Sequence, residues 1–166
     1  ALVKKGNAAI GVRLFKNNND HFDDVTEKSG ISSSELTYGL GAGIADINGD
    51  GWQDIYITND YNVPDYLYIN NRNGTFTEKK KEMLGHTSKS AMGNDVADIN
   101  NDGLPDIYTL DMLPEDNFRQ KILFAADNYE KFDITLRSGF YYQYMRNMLQ
   151  LNNGDGTFSE IGQLSG

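Results

Sequence analysis

Two nine-residue stretches constrain this chain more than anything else in it. The first is Asp46-Ile47-Asn48-Gly49-Asp50-Gly51-Trp52-Gln53-Asp54, and 52 residues later comes Asp98-Ile99-Asn100-Asn101-Asp102-Gly103-Leu104-Pro105-Asp106. Each sets oxygen-bearing side chains at its first, third, fifth and ninth positions, with glycine sixth, where the chain must turn sharply. A hard cation such as Ca²⁺ takes about 6 to 8 oxygen ligands, and acids at alternate residues of a short loop aim several at one point. The candidate ligands are Asp46, Asn48, Asp50 and Asp54 with the Trp52 carbonyl, and Asp98, Asn100, Asp102 and Asp106 with the Leu104 carbonyl. Two Ca²⁺ sites are expected. Asn-Gly-Asp-Gly also suits a plain hairpin turn, because Asn, Asp and Gly tolerate positive φ. Two copies in one register favour the cation.

The EF-hand opens on the same pattern but closes with Glu at position twelve, on a helix. Here position twelve is Ile57 or Thr109, and the runs that follow, Asp54-Ile55-Tyr56-Ile57-Thr58 and Asp106-Ile107-Tyr108-Thr109-Leu110, are β-branched and aromatic. Those are strands. The loop therefore joins two strands, and the ninth-position Asp closes the cage.

A second signature, an apolar strand running into an Asn-rich turn and then Phe, occurs three times, ending at Phe22, Phe76 and Phe158. The first copy, Asn17-Asn18-Asn19-Asp20, lacks strong ligands and is expected to be a turn. Within one unit the strands read as 39–45, 55–59, 66–70 and 75–79, which is one four-stranded blade of a repeat about 40 to 50 residues long. The expected fold is all-β, with four-stranded antiparallel blades of a β-propeller, partial in this chain. Residues 1–36 are expected to be the tail of a preceding blade, 37–88 a complete blade with its loop at 46–54, and 89–166 a second blade with its loop at 98–106. Because Asp98 to Phe158 is twice as long as Asp46 to Phe76, a helical and aromatic insertion is expected at about 112–146, with a helix over about Glu115–Lys131 carrying Phe118, Ile122, Ala125, Ala126 and Tyr129. Its tyrosines either face a partner or pack the insertion onto its own blade. The next box is expected past Gly166, so the segment reads as ending mid-repeat.

A net charge of -9, from 24 acids and 15 bases, argues against a nucleic-acid or acidic-membrane partner, where a basic face is needed. With no Cys, disulfides, zinc-thiolate sites and thiol catalysis are excluded. No apolar run reaches the roughly 18 residues of a membrane span. Any targeting or lipid-anchor segment is expected upstream of Ala1.

With Gly41-Ala42-Gly43-Ile44-Ala45 leading into the first box, the chain resembles the FG-GAP/VCBS repeats of integrin-α-type propellers. The run from Asp111 to Asn117, with Arg146 to Phe158, is similar to bacterial relatives of cartilage acidic protein, which join such repeats to an ASPIC/UnbV domain. No ASPIC/UnbV segment is visible. The resemblance implies Ca²⁺ held in the loop between the first two strands of each blade. It also implies export to the cell surface, for bacterial members as outer-membrane lipoproteins, sometimes beside SusC/SusD-like nutrient importers. The function expected is a calcium-binding, cell-surface scaffold for a protein or glycan partner, and not an enzyme.

The alternative is a carbohydrate-active propeller, a hydrolase or lyase working through paired carboxylates. Against it, the paired acids are already used as ligands, no catalytic residues can be named, and His21 and His86 stand alone in sequence. The Asn73-Gly74-Thr75 sequon reads as a hairpin turn first and a glycosylation site second.

Overall fold

The computed structural model describes residues 10–61, 63–122 and 129–165. The first nine residues of the expected tail segment lie outside them. Two short strands open the chain, β1 (Phe15–Asn17) and β2 (Phe22–Asp24), paired as an antiparallel hairpin whose turn carries Asn19 at φ 68°. Of the Asn17–Asp20 run, Asn17 thus ends β1 and Asn18–Asp20 make the turn.

A four-stranded antiparallel sheet follows, running in chain order through β3 (Gly39–Ala45), β4 (Asp54–Asn59), β5 (Tyr66–Asn70) and β6 (Phe76–Glu78). A one-turn helix, α1 (Lys80–Met83), and a two-residue strand, β7 (Thr87–Ser88), lead to the next sheet. That sheet is built from β8 (Ala91–Ala97), β9 (Asp106–Asp111), β11 (Met148–Asn152) and β12 (Phe158–Glu160). Between β9 and β11 the chain leaves the sheet to form α2 (Asn117–Ile122), α3 (Tyr129–Arg137) and β10 (Gln143–Tyr144). The described chain is mostly β, as two meander sheets of blade type with few helices.

The repeat extends to backbone detail. The register of β3 on β4 slips between Gly39 and Gly41, and that of β8 on β9 slips between Ala91 and Gly93, the same place 52 residues later. Such a bulge bends and twists its strand. Glycine is required at Gly41 and Gly43: a Cβ at Gly41 would come within 2.8 Å of Thr58 Oγ1, and one at Gly43 within 2.5 Å of Asn94 Oδ1. The two sheets approach closely along β3 and β8, and those glycines let them.

Apolar side chains on alternate positions cover both faces of the first sheet. One face carries Ile57, Tyr66 and Tyr68, packed with Val63 against Ile31, Val12, Leu14 and Leu36 from the opening segment. The other face carries Tyr56 and Leu67 and packs, with Ile47, on Ile107 and Phe158 of the second sheet. Ile47 is 2% exposed and its repeat-mate Ile99 is 47% exposed, because the second sheet covers Ile47 and nothing described covers Ile99.

Of the helix expected over 115–131, the described residues give α2 and the start of α3, and α3 runs on to Arg137; residues 123–128 lie outside the described residues. Phe118, Ile122 and Tyr129 have helical spacing yet are exposed, whereas Phe132 packs on Tyr142 and Tyr144. Ala125 and Ala126 lie outside the described residues. The aromatic run after α3 is pinned to the blade. β10 pairs in parallel with β7, and the Tyr141 hydroxyl donates to the Leu84 carbonyl at 2.5 Å. Tyr141 thus takes the packing role, while Tyr142 and Tyr144 remain partly exposed.

A buried acid lies where the two sheets meet. Asp65, fully buried, accepts the Asn59 N–H at 2.8 Å on one oxygen and the Tyr56 hydroxyl at 2.7 Å on the other. Burial pushes its pKa up to about 7, against the opposing pull of those two donors and of Lys80, with the Asp111 charge adding to the rise. In the second sheet the repeat-mate of Asp65 is Asn147, whose Oδ1 accepts the Asp111 N–H at 2.8 Å. The same backbone donor is thus met by a neutral amide.

The folded carboxyl holds its proton more tightly than the unfolded one. Its stabilising effect is therefore complete below the ordinary aspartate value of 3.8 and is lost as pH rises toward about 7. Between those limits the slope is at most about 1.4 kcal/mol per pH unit. Asp65→Asn is expected to flatten this decline, as measured by urea unfolding at fixed calcium from about pH 5 to 8. A slope unchanged in the variant would refute the assignment to Asp65.

Candidate functional site

Each nine-residue box is the connection between the first two strands of a sheet, and the two loops carry the same internal wiring. In the first, Asp46 Oδ1 accepts the Asp50 N–H at 2.9 Å and Asp46 Oδ2 accepts that of Gly51 at 2.7 Å. In the second, Asp98 accepts the N–H groups of Asp102 and Gly103 at 3.0 and 2.9 Å. Asn48 and Asn100 share the fifth-position N–H, each at 3.1 Å. Asp50 and Asp102 accept from Trp52 and Leu104, at 2.9 and 2.8 Å. Gly49 and Asn101 take positive φ at 71° and 61°, and Gly51 and Gly103 at 87° and 86°. These left-handed residues curl the loop so that its amides point at its own acids.

The ninth-position acids stitch each loop to its sheet. Asp54, fully buried, accepts the Ile47 N–H at 2.9 Å on one oxygen and the Asn70 N–H, at the end of β5, at 2.8 Å on the other. Asp106, equally buried, does the same with Ile99 at 3.0 Å and Asn152 at 2.9 Å. Asn152 also donates its amide to the Ile47 carbonyl at 2.9 Å, so the second loop's anchor reaches the first loop across the sheet junction. Burial raises the Asp54 pKa; the N–H groups of Asn70, Ile47 and Asn48 offset part of that, and the Asp50 charge adds to it. The Asp50 carboxyl moves the other way. Desolvation pulls it up, but the Arg72 guanidinium with the Trp52 N–H and the Asn48 amide hold it below the ordinary aspartate value.

The donor set fits a hard divalent ion. It is oxygen throughout, and each Asp46 or Asp98 oxygen that accepts one N–H keeps a lone pair free. A cation already stands on one of these acids: Arg72 Nη2 lies 3.0 Å from Asp50 Oδ2. Among the described residues no three acids or histidines lie together at metal-holding distance. An ion would therefore draw on the asparagine amide and main-chain carbonyl oxygens as well.

Sequence reasoning missed the polar cluster that ties the insertion's return to the end of the chain. His86, solitary in the sequence, lies 3.2 Å from Glu160 Oε2 and 3.0 Å from Arg146 Nη2, and Arg146 bonds the same Glu160 oxygen at 2.6 Å. Burial opposes ionisation of Glu160. The Gly162 and Leu149 N–H groups, His86 and Arg146 outweigh it and lower its pKa. A carboxylate held ionised by a guanidinium is a lock and a poor general acid. No local signal marks it, since His86 and Glu160 are 74 residues apart. His21 sits on the exposed first hairpin beside Asp20.

Comparison with known proteins falls on the same stretch. The FG-GAP-like repeat family matches residues 46–109, from the first acid of the first loop into β9. Over 92 residues the chain is 37% identical to integrin alpha-6 of Gallus gallus, and over 95 residues 33% identical to integrin alpha-6 of Homo sapiens. Over 81 residues it is 32% identical to integrin alpha-3 of Mus musculus. These matches take in 49%, 51% and 42% of this chain, and it spans 8% of the length of each relative. With two loops of matched wiring set into two meander sheets, and this match across them, residues 46–109 are similar to the FG-GAP-like repeat and to integrin alpha chains.

Proposed function

We propose that this chain is a calcium-stabilised scaffold of an exported, cell-surface propeller, and that its exposed insertion contacts a protein or glycan partner. The observation that carries the calcium reading is the fully buried pair Asp54 and Asp106, each bonded by two backbone N–H groups and, among the described residues, by no basic side chain. An anion buried without a countercharge is costly, and a divalent ion shared with Asp46, Asn48 and Asp50, or with Asp98, Asn100 and Asp102, supplies that charge. Millimolar extracellular calcium suits loops of this kind, whose ligands are few and partly exposed.

The partner surface is proposed from the insertion, where Phe118, Ile122, Tyr129 and Ile134 are all more than 60% exposed. An accessory lipoprotein of an outer-membrane uptake complex is the setting proposed for it. No described helix is long and apolar enough to cross a membrane. Glycan cleavage is the less favoured reading, because the loop acids are engaged by loop amides and Glu160 by Arg146.

Calorimetric titration of the chelator-stripped full chain with CaCl₂ tests the calcium reading. Two ions per chain, with dissociation constants of about 10⁻⁴ to 10⁻³ M, are expected. No binding heat up to about 10 mM would overturn it.

A further inference from the structure

The two loops share a backbone but differ in one side chain laid over them. After β5 the turn Asn70-Asn71-Arg72-Asn73-Gly74-Thr75 returns beside the first loop, and after β11 the turn Asn152-Asn153-Gly154-Asp155-Gly156-Thr157 returns beside the second. The turns are bonded alike: Asn70 Oδ1 accepts the Arg72 N–H at 2.8 Å and Asn152 Oδ1 accepts that of Gly154 at 3.0 Å. Both third residues are left-handed, Arg72 at φ 64° and Gly154 at φ 73°. That conformation costs glycine little and an L side chain on the order of 1 kcal/mol. Arg72 adopts it, and from there its guanidinium reaches Asp50 Oδ2 through Nε at 3.2 Å and Nη2 at 3.0 Å. Asp50 is only 16% exposed, so the pair is partly shielded from water. At the second loop the corresponding oxygen, Asp102 Oδ2, accepts the Asn100 amide at 2.8 Å, as Asp50 Oδ2 accepts that of Asn48 at 3.2 Å, but among the described residues no basic side chain lies on it.

We propose that Arg72 is a built-in competitor for the cation of the first loop, so that loop 46–54 takes calcium more weakly than loop 98–106 and the chain fills in two steps. The inference rests on the calcium reading above. To use the Asp50 oxygen, an incoming ion must displace the guanidinium or share it against like-charge repulsion. A single partly shielded pair of this kind is worth about three- to tenfold in affinity. Filling of the first loop frees the Arg72 guanidinium, already more than half exposed, from Asp50, so the second calcium threshold changes the charge presented beside the β5–β6 turn.

Two reciprocal exchanges test this, each placing the other repeat's residue in a backbone that already accommodates it. Arg72→Gly removes the competitor at a glycine-compatible φ. Gly154→Arg installs one over Asp102, where a Cβ would meet only the flexible end of Leu104, at 3.2 Å. Calorimetric titration of the full chain with CaCl₂ is expected to give two unequal classes in the wild type. They should converge in R72G, by tightening of the weaker class, and converge also in G154R, by weakening of the stronger one. Asp50→Asn and Asp102→Asn assign the classes to their loops, and the Arg72 Nε–H resonance should move only at the second step. Two calcium ions bound with equal affinity in the wild type, or unequal classes that neither exchange alters, would overturn the proposal and leave calcium binding intact. No calcium uptake at all would overturn both.

Discussion

Chelating calcium from the loaded chain is expected to lower its melting temperature by about 10 °C. The figure follows from mass action: an ion that binds only the folded state, at about 100 times its dissociation constant, stabilises by about 2.7 kcal/mol per site. For a chain of this size each kcal/mol is worth roughly 2 to 4 °C. Two loops therefore supply ample stabilisation for the shift, even with the first loop filled less completely. The effect expected of the ion is electrostatic. Each loop carries three carboxylates in nine residues, Asp46, Asp50 and Asp54 or Asp98, Asp102 and Asp106, whose charge a bound divalent ion would offset. Scanning calorimetry with calcium and with excess chelator, at one ionic strength, reads the difference directly. Superimposable traces would remove calcium from the account of stability, and magnesium at the same concentration should restore much less than calcium does.

The second large effect is local to one carboxyl in each loop. Asp54→Ala and Asp106→Ala are each expected to destabilise the chain by about 3 to 5 kcal/mol, measured by urea unfolding. Each deletes a fully buried acceptor of two backbone N–H bonds and leaves both donors buried and unpaired. The donors belong to different segments, one inside the loop and one at the end of the third strand, so the loss unties loop from sheet. Asp46→Ala removes as many N–H bonds, from Asp50 and Gly51, but in a more exposed loop where water replaces them, and about 1 kcal/mol is expected without calcium. Comparable losses in all three variants under chelation would show that the ninth-position acids are ordinary ligands with no separate structural duty.

Most of this architecture is written locally and so is legible in the chain. The 52-residue step, the alternation of Ile55, Ile57 and Tyr56, and the Asn-Gly turns each report on their own neighbourhood, and β3 and β5 occur where those signals place them. The ligand-type residues also come together as loops of matched wiring. The features that were not legible depend on partners far away in sequence. Arg72 meets Asp50 only because β5 returns beside β3–β4. The two-residue pairing of β10 with β7 has no periodicity to betray it. The helical spacing of Phe118 and Ile122 does fall in α2, but on a face that the described structure leaves uncovered, while packing near the returning strand goes to Phe132.

The excursion between β9 and β11 begins and ends at one point, since the Asp111 N–H donates to Asn147 at 2.8 Å and Met148 pairs with Thr109. Closing a flexible loop twice as long costs only about 0.6 kcal/mol more. Between those pinned ends, evolution is free to rewrite length and decoration while the strand ladder stays in step. Novelty in such a lineage should accumulate there, like interchangeable heads on a common shaft.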